Sequence, residues 1–238
     1  MFDRSVSRLL AVIPARGGSK RIPKKNVRHF HGRPIIAYTI EAAIKSELFD
    51  RVIVSTDCDE IAKISIACGA DVPFLRDPIL ADDHTPVSAV TVDTINILDP
   101  DGKDFSSVAQ LMPNCPLRTS EDIQASYQEF VRTSSESQIS IARFGWQNPW
   151  WAMKLNDRLQ LEPIFENSVT QRSQDLPEVF FPTGAIWWGD VATLRREKTF
   201  HIEGRTGWEM PWNRAVDIDT EDDWAFADVL MSNSLNFV

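Results

Sequence analysis

A short apolar run that opens into a glycine-rich, basic loop constrains this chain more than any other feature. The run covers residues 9–13 and stops at Pro14, and the loop behind it contains the adjacent glycines Gly17 and Gly18. Cations crowd the same loop: Arg16, Lys20, Arg21, Lys24 and Lys25. A buried strand that feeds such a loop is how α/β folds present backbone N–H groups to phosphate. Because glycine lets the backbone approach an anion closely and the cations neutralise it, the loop predicts a phosphate-binding site.

The loop matches neither of the two best-known phosphate motifs. No Gly-Lys-Ser/Thr follows at the ATPase spacing, and the dinucleotide pattern Gly-x-Gly-x-x-Gly is missing. The alternative is a solvated basic loop behind an edge strand. We favour phosphate binding because the glycines and cations cluster directly behind the first predicted strand.

Charge is distributed unevenly along the 238 residues, whose formal net charge is −9. Residues 1–33 contain nine Arg and Lys against one acid, a net charge of +8, and the remainder carries −17. An acidic body argues against a nucleic-acid partner, and a local basic patch on it favours a small polyanion.

Length and composition predict a single α/β domain over residues 1–238, with no membrane partner. No apolar run approaches the length of a membrane span. Three cysteines, Cys58, Cys68 and Cys115, are too few and too scattered for a disulfide framework, which favours a reducing cytoplasm.

Hydrophobic periodicity predicts alternating strands and helices, which favours a mostly parallel sheet covered on both faces. The predicted strands are 9–13, 51–55, 72–75, 107–112, 185–188 and 215–218, and the predicted helices are 35–46, 59–68, 85–98, 120–131 and 221–231. The sequence pattern changes at residues 138–144. Tryptophans, prolines and short strand-like pieces crowd residues 141–182. We interpret that segment as an inserted β-rich arm rather than a second domain.

Two carboxylates two residues apart, Asp217 and Asp219, form the second informative element. On a strand, residues at this spacing face the same side. Oxygen ligands held this close suit Mg²⁺, which binds through one or two carboxylates together with substrate phosphates. A solvated strand end is the alternative.

Two further segments are compatible with a site. Residues 113–118, Pro-Asn-Cys-Pro-Leu-Arg, follow a predicted strand, where α/β folds bind ligands, although taken alone they are better explained as a plain turn. In residues 170–188, Arg172 could hold a carboxylate and Gly184 allows close backbone approach. All eight tryptophans follow residue 145, and either sugar stacking or a subunit interface would explain them.

With these elements in this order, the chain resembles the cytidylyltransferases that make CMP-activated nonulosonic acids, among them N-acetylneuraminate, pseudaminate and legionaminate. The run IPARGGSKRIPKKN at residues 13–26 looks like the nucleotide loop of that family. The resemblance implies a Rossmann-like three-layer nucleotidyltransferase fold. It also implies a homodimer in which the arm at 141–182 pairs with the same arm of the second subunit. Arg172 would then contribute to the site of its own subunit or to that of the neighbouring one.

The resemblance assigns roles position by position. Nucleotide binding is expected of Arg16, Gly17, Gly18, Ser19, Lys25, Asn26, Arg76, Asp83 and Thr85, with Arg76 helping to recognise cytosine. Mg²⁺ is expected on Asp217 and Asp219, and the catalytic set is Arg16, Lys25, Asp217 and Asp219. Sugar binding is expected of Met112, Arg172, Gln174, Phe181, Thr183, Gly184 and Trp187.

The acceptor positions depart from the sialate pattern, because Met112 stands where many members carry glutamine. With Phe181 and Trp187 it predicts an apolar wall, which suits a deoxy acid of the pseudaminate or legionaminate kind. The expected reaction is attack of the free acid on CTP with release of pyrophosphate. The alternatives are a CMP-N-acetylneuraminate synthetase proper, a sugar-1-phosphate nucleotidyltransferase and an inactive nucleotide-binding protein.

Overall fold

A computed structural model describes residues 8–235 and places a six-stranded mixed sheet at the centre of the molecule. The strands are β1 (Leu9–Pro14), β2 (His29–Phe30), β3 (Arg33–Pro34), β4 (Arg51–Ser55), β5 (Ser107–Gln110), β6 (Ser137–Arg143), β7 (Met153–Leu155), β8 (Leu161–Pro163), β9 (Phe180–Asp190) and β10 (Thr206–Glu209). The helices are α1 (Ile35–Lys45), α2 (Asp59–Ala67), α3 (Val87–Leu98), α4 (Ser120–Thr133), α5 (Val191–Glu197) and α6 (Glu221–Leu235).

The sheet has the order β10-β6-β9-β5-β1-β4. β1 pairs in parallel with β4 and β5, and β10 pairs in parallel with β6. Only β9 runs the other way, antiparallel to both β5 and β6. The predicted mostly parallel sheet is confirmed.

Helices cover both faces of this sheet, as predicted. On one face α1, α2 and α4 pack over the residues Ala11 and Ile13 of β1. On the other face α3 and α5 pack over Leu10 and Val12. Successive strand residues face opposite sides, so a continuous apolar run such as β1 contributes to both cores.

A third apolar cluster anchors α6 beside the glycine-rich loop. Ala227 of α6 packs with Phe30 of β2, Ile22 of the loop and Ile218. The residue before α6, Thr220, forms a capping box with Asp223, whose carboxylate also accepts the backbone N–H of Asp219 at 3.0 Å. The start of α6 therefore holds the carboxylate-bearing segment in place.

Two predicted strands are wrong, and several short elements, β2, β3, α5 and β10, were missed. Residues 72–75 contain only an isolated bridge at Leu75, and the residue before them, Asp71, makes another. Residues 215–218 form a loop, because the backbone of Ile218 pairs with Asn114 and the Lys25 side chain instead of with a strand. The short elements α5 and β10 carry too few residues for a clear periodic signal.

The predicted arm leaves the sheet between β6 and β9. Residues 141–143 still belong to β6 and 180–182 already belong to β9, so the excursion covers residues 144–179. It contains the hairpin of β7 and β8, whose six residues are all exposed. Within residues 8–235, no helix has the length and apolar character needed to cross a lipid bilayer.

Candidate active site

A cavity of about 290 Å³ opens at the carboxyl ends of β1 and β5, beneath the glycine-rich loop. Ligands bind outside these strand ends in open α/β sheets. Most of the predicted nucleotide and metal residues line it: Arg16, Ser19, Lys25, Asn26, Arg76, Asp83, Thr85, Asp217 and Asp219. The structure thus brings together residues from both ends of the chain.

The loop is fastened to the neighbouring strand by its own backbone. The Gly17 N–H donates to Asp57 Oδ1 at 3.0 Å, and the Asn26 amide donates to the Arg16 carbonyl at 3.0 Å. A Cβ at Gly17 would lie 3.0 Å from that of Cys58, a contact tighter than is usual, so glycine fits this position most easily. Nothing lies within 4 Å of a Cβ at Gly18. Asn26 and Gly17 therefore shape the loop, whatever they contact in a ligand.

Acids in the cavity wall hold the loop's cations. Asp83 pairs with Arg16 at 2.9 Å and also with Lys20. Asp219 pairs with Arg21 at 2.6 Å and with Lys25 at 2.8 Å. The remaining cation of the loop is Lys24, which does not line the cavity and pairs with Glu60 at 2.8 Å. The basic surface predicted from the sequence is largely neutralised within the protein itself.

Arg76 places a buried guanidinium against the cavity. Only 4% of its surface is exposed, and it donates to the Ser55 carbonyl at 3.3 Å and lies 3.6 Å from Asp57. Burial lowers the pKa of Arg76, and the Asp57 carboxylate counteracts part of that effect. Its Nε has no hydrogen-bond partner within residues 8–235. A ligand acceptor in the cavity would satisfy such a donor.

The carboxylate pair is held by a residue that the sequence reasoning did not single out, Asn114. Its side-chain Nδ2 contacts Asp217 Oδ1 and donates to the Ile218 carbonyl at 3.0 Å and to Asp219 Oδ1 at 3.4 Å. Asn114 lies in the proline-flanked loop after β5, for which turn and site were both open interpretations. The polar residue between two prolines at a strand end was the available signal.

The two carboxyl groups differ in their electrostatics. Burial, and then the neighbouring charge of Asp219, raise the pKa of Asp217 to about 6. Burial also acts to raise the pKa of Asp219, but Lys25 and Arg21 outweigh it and hold that pKa below its ordinary value. Asp219 is therefore ionised at neutral pH, and Asp217 gains a proton in mild acid.

Gly184 of β9 gives Asp217 the space that it occupies. A Cβ on Gly184 would lie 2.8 Å from Asp217 Oδ2 and 3.1 Å from Met112 Cγ. Any other residue at this position would displace the carboxylate or the methionine. Gly184 was predicted to contact the sugar, and in the structure it borders the carboxylate pair.

The donor set fits Mg²⁺. Asp217 and Asp219 offer oxygen ligands, and the buried Asn114 Oδ1 beside them has no partner within the described part of the chain. Residues 8–235 contain no cluster of three or more His, Cys, Asp or Glu that would form an all-protein cage. Two carboxylates with phosphate oxygens completing the shell is the usual arrangement for Mg²⁺.

The predicted sugar residues are only partly brought together. Met112 lines the cavity, whereas Thr183 is buried and bonds Ser140 at 2.6 Å. Trp187 packs on the opposite side of the sheet, its ring 5.7 Å from that of Phe200. None of the other predicted sugar residues is part of the cavity lining. Phe181 packs beside Phe144, and Arg172 and Gln174 contact each other in the exposed arm.

Two residues outside the predicted set do not line the cavity but stabilise the elements that form it. Asp57 accepts the Gly17 N–H and pairs with Arg76. It lies shortly after the predicted strand β4, and a polar residue near a strand end was the available sequence signal for a site. Arg118 is buried and donates to the carbonyls of Ala185 and Met112, which ties the loop after β5 to the middle of β9.

Comparison with known proteins agrees with this geometry. The family model described as Cytidylyltransferase matches residues 10–138. A pseudaminic acid cytidylyltransferase of Campylobacter jejuni subsp. jejuni is 34% identical over 221 residues, covering 93% of this chain and 95% of the relative. A CMP-N,N'-diacetyllegionaminic acid synthase of Legionella pneumophila subsp. pneumophila is 32% identical over 226 residues, covering 94% and 96%.

A solved structure of CMP:2-keto-3-deoxy-manno-octonic acid synthetase complexed with CTP has a TM-score of 0.69 to this chain. The match covers 96% of this chain and all of that one, and at 18% identity it shows a shared fold. The family match and the two relatives confirm the resemblance read from the motifs. The chain belongs to the cytidylyltransferase family, with the CMP-nonulosonic acid synthetases.

Proposed function

We propose that the protein transfers CMP from CTP to a free nonulosonic acid, releasing pyrophosphate. The proposal rests mainly on the cavity, in which a glycine-rich basic loop faces the carboxylates Asp217 and Asp219. Supporting it is the 34% identity, over nearly the whole chain, to a pseudaminic acid cytidylyltransferase. In this reaction the anomeric oxygen of the acid forms a bond to the α-phosphorus, and the α–β phosphoanhydride bond breaks.

The chain's residues supply binding, positioning and charge, which phosphoryl transfers need more than covalent catalysis. Arg16, Lys25 and the backbone N–H groups of the loop would hold the phosphates and the departing pyrophosphate. Arg76, with its unpaired Nε, would face the cytosine edge, beside Asp83 and Thr85. The buried Arg76 favours a base that presents acceptors at that edge.

Asp217 and Asp219 would hold Mg²⁺. A magnesium ion bound there would neutralise charge that develops at the α-phosphate. Asn114 keeps the two carboxylates directed at one point, and Gly184 leaves room for Asp217. These contacts would hold the two carboxylates near each other, while Arg21 and Lys25 pair with Asp219 in the free protein.

For the acceptor we propose a pseudaminate- or legionaminate-like acid. Met112 lines the cavity and offers no hydrogen bonds where sialate-type members have glutamine. Of the three residues predicted to form an apolar wall, only Met112 lines the cavity of the described chain, because Phe181 and Trp187 pack outside it. An unmet buried hydroxyl costs about 1–3 kcal/mol, which disfavours the full glycerol chain of N-acetylneuraminate. The two relatives are named for pseudaminic acid and for N,N'-diacetyllegionaminic acid.

We also propose a homodimer formed through the arm at residues 144–179. Its apolar side chains are unusually exposed, with Trp146 at 89% and Leu159 at 78%. Exposed apolar surface on this scale marks interaction sites. Pairing of two arms would cover it, and would carry Arg172 and Gln174 toward a neighbouring subunit. As the reaction consumes CTP, we place the enzyme in the cytoplasm, which also suits its three free cysteines.

Turnover assays test the proposal. Purified protein with Mg²⁺ is given CTP, UTP or dTTP, each with pseudaminate, legionaminate, N-acetylneuraminate or a sugar 1-phosphate, and pyrophosphate release is measured. We expect CTP with pseudaminate or legionaminate to give the highest kcat/KM, about tenfold or more above that with N-acetylneuraminate. Comparable rates with UTP would refute cytidylyl transfer, and use of a sugar 1-phosphate would support the alternative nucleotidyltransferase. A clear preference for N-acetylneuraminate would refute the acceptor assignment alone.

A further inference from the structure

Arg21 differs from the other cation on Asp219 in how firmly it is held. Lys25 is only 14% exposed and donates to both Asp219 Oδ1 and the Ile218 carbonyl, at 2.8 and 2.7 Å. Arg21 is 64% exposed, lines the cavity and makes its ion pair with Asp219 Oδ2 at 2.6 Å. Lys25 is thus fixed in the wall, whereas Arg21 can swing into the cavity.

The contact of Arg21 occupies an oxygen that a metal ion would require. A divalent cation at the carboxylate pair competes with the guanidinium for Asp219, since both need the same charge and lone pairs. A displaced guanidinium in this cavity has phosphate as its natural partner, because the planar fork binds two phosphate oxygens at once. Binding of the cation to Asp219 would therefore free Arg21 for the nucleotide, and binding of Arg21 to a phosphate would free Asp219 for the cation.

We infer that Arg21 is a nucleotide-binding residue that exchanges partners, from Asp219 in the free protein to a phosphate of CTP once a divalent cation binds Asp219. This inference rests on the proposed function. It assigns Arg21 a role beyond the residues that the family resemblance supplied. It also makes cation and nucleotide binding mutually favourable, because the closed ion pair opposes each of them singly.

The exchange predicts opposite changes in two affinities when Arg21 is removed. Without the guanidinium, Asp219 is less screened, so the free protein should bind the cation about two- to fivefold more tightly, the range expected for an exposed ion pair. CTP should bind about five- to twentyfold more weakly, as expected when one charge-assisted contact to phosphate is lost. A residue that only supported the fold would weaken both.

Isothermal titration calorimetry on the full-length protein provides the test, with Arg21→Ala, Arg21→Lys and the control Lys24→Ala. Lys24 is a cation of the same loop and is similarly exposed, but it pairs with Glu60 away from the cavity. Mn²⁺ is titrated without nucleotide, and CTP is titrated in saturating Mg²⁺ without acceptor. Arg21→Ala should move the two affinities in opposite directions, Arg21→Lys should lie between it and wild type, and Lys24→Ala should match wild type within twofold.

Weakening of both ligands, no change in either, or the same pattern in Lys24→Ala would overturn the inference. If Arg21→Ala does not fold, as judged by its thermal unfolding, Arg21→Lys decides the question, since loss of the fork alone should weaken CTP. A wild-type protein that binds CTP but transfers CMP to no nonulosonic acid would refute the proposed function instead.

Discussion

Replacing Gly184 with alanine tests how the carboxylate pair is positioned. The backbone of Gly184 lies in the extended strand β9, so alanine fits it without strain. The added methyl would lie 2.8 Å from Asp217 Oδ2, whereas ordinary contacts begin near 3.4 Å. Asp217 must therefore retreat by about 0.6 Å, and Met112 by about half of that.

The retreat is opposed by Asn114, which contacts the other oxygen of the same carboxylate, Asp217 Oδ1. Overpacking of this kind costs about 1–3 kcal/mol of the free energy of unfolding. A misplacement of about 1 Å in a reacting geometry can lower kcat by about 10²-fold, so for this smaller shift we expect a loss of about tenfold or more. We also expect the Mg²⁺ concentration for half-maximal rate to rise, because the two carboxylates no longer point at one site.

Gly207→Ala is the matched control, since Gly207 also lies in a strand and its new Cβ would meet Ile141 Cδ1 at 2.7 Å. That contact is the flexible end of an apolar side chain away from the cavity, so stability should fall while kcat stays within about twofold. Steady-state rates over a Mg²⁺ series, with thermal unfolding of each variant, provide the measurements. Wild-type kcat in Gly184→Ala, or an equal loss in Gly207→Ala, would refute the reasoning.

Three further predictions concern the carboxylates and the arm. Asp217→Asn and Asp219→Asn should each lower turnover by about 10²-fold or more, and wild-type rates in both would remove the metal assignment. Because burial raises the pKa of Asp217 to about 6, the folded protein binds this proton more tightly than the unfolded chain does. The contribution of Asp217 to the free energy of unfolding should therefore increase as pH falls from 7 toward 4, while the affinity of the site for Mn²⁺ falls. Thermal unfolding in EDTA should show this gain in stability in the wild type and not in Asp217→Asn. Glutamate at both Leu155 and Leu161, on the exposed hairpin, should convert a dimer into a monomer by light scattering, and a monomeric wild type at micromolar concentration would contradict the assembly.

The amino-acid sequence by itself determined the local conformation and the family. Apolar periodicity located the five predicted helices to within about a turn, because side-chain spacing directly reports the face that a helix buries. The glycine-rich loop was recognisable because its glycines and cations are contiguous. Motif order along the chain was sufficient to identify the cytidylyltransferases.

Tertiary structure alone decided which distant residues meet. Lys25 and Asp219 are 194 positions apart, and Asn114 holds Asp217 across 103 positions. The segment 215–218 looked like a strand, yet Ile218 bonds to Asn114 and Lys25, and the start of α6 holds the residue that follows. Trp187 was assigned to the sugar, but the register of β9 directs it to the opposite core. Periodicity encodes conformation and burial, whereas strand order, register and contacts between loops arise only when the whole chain packs.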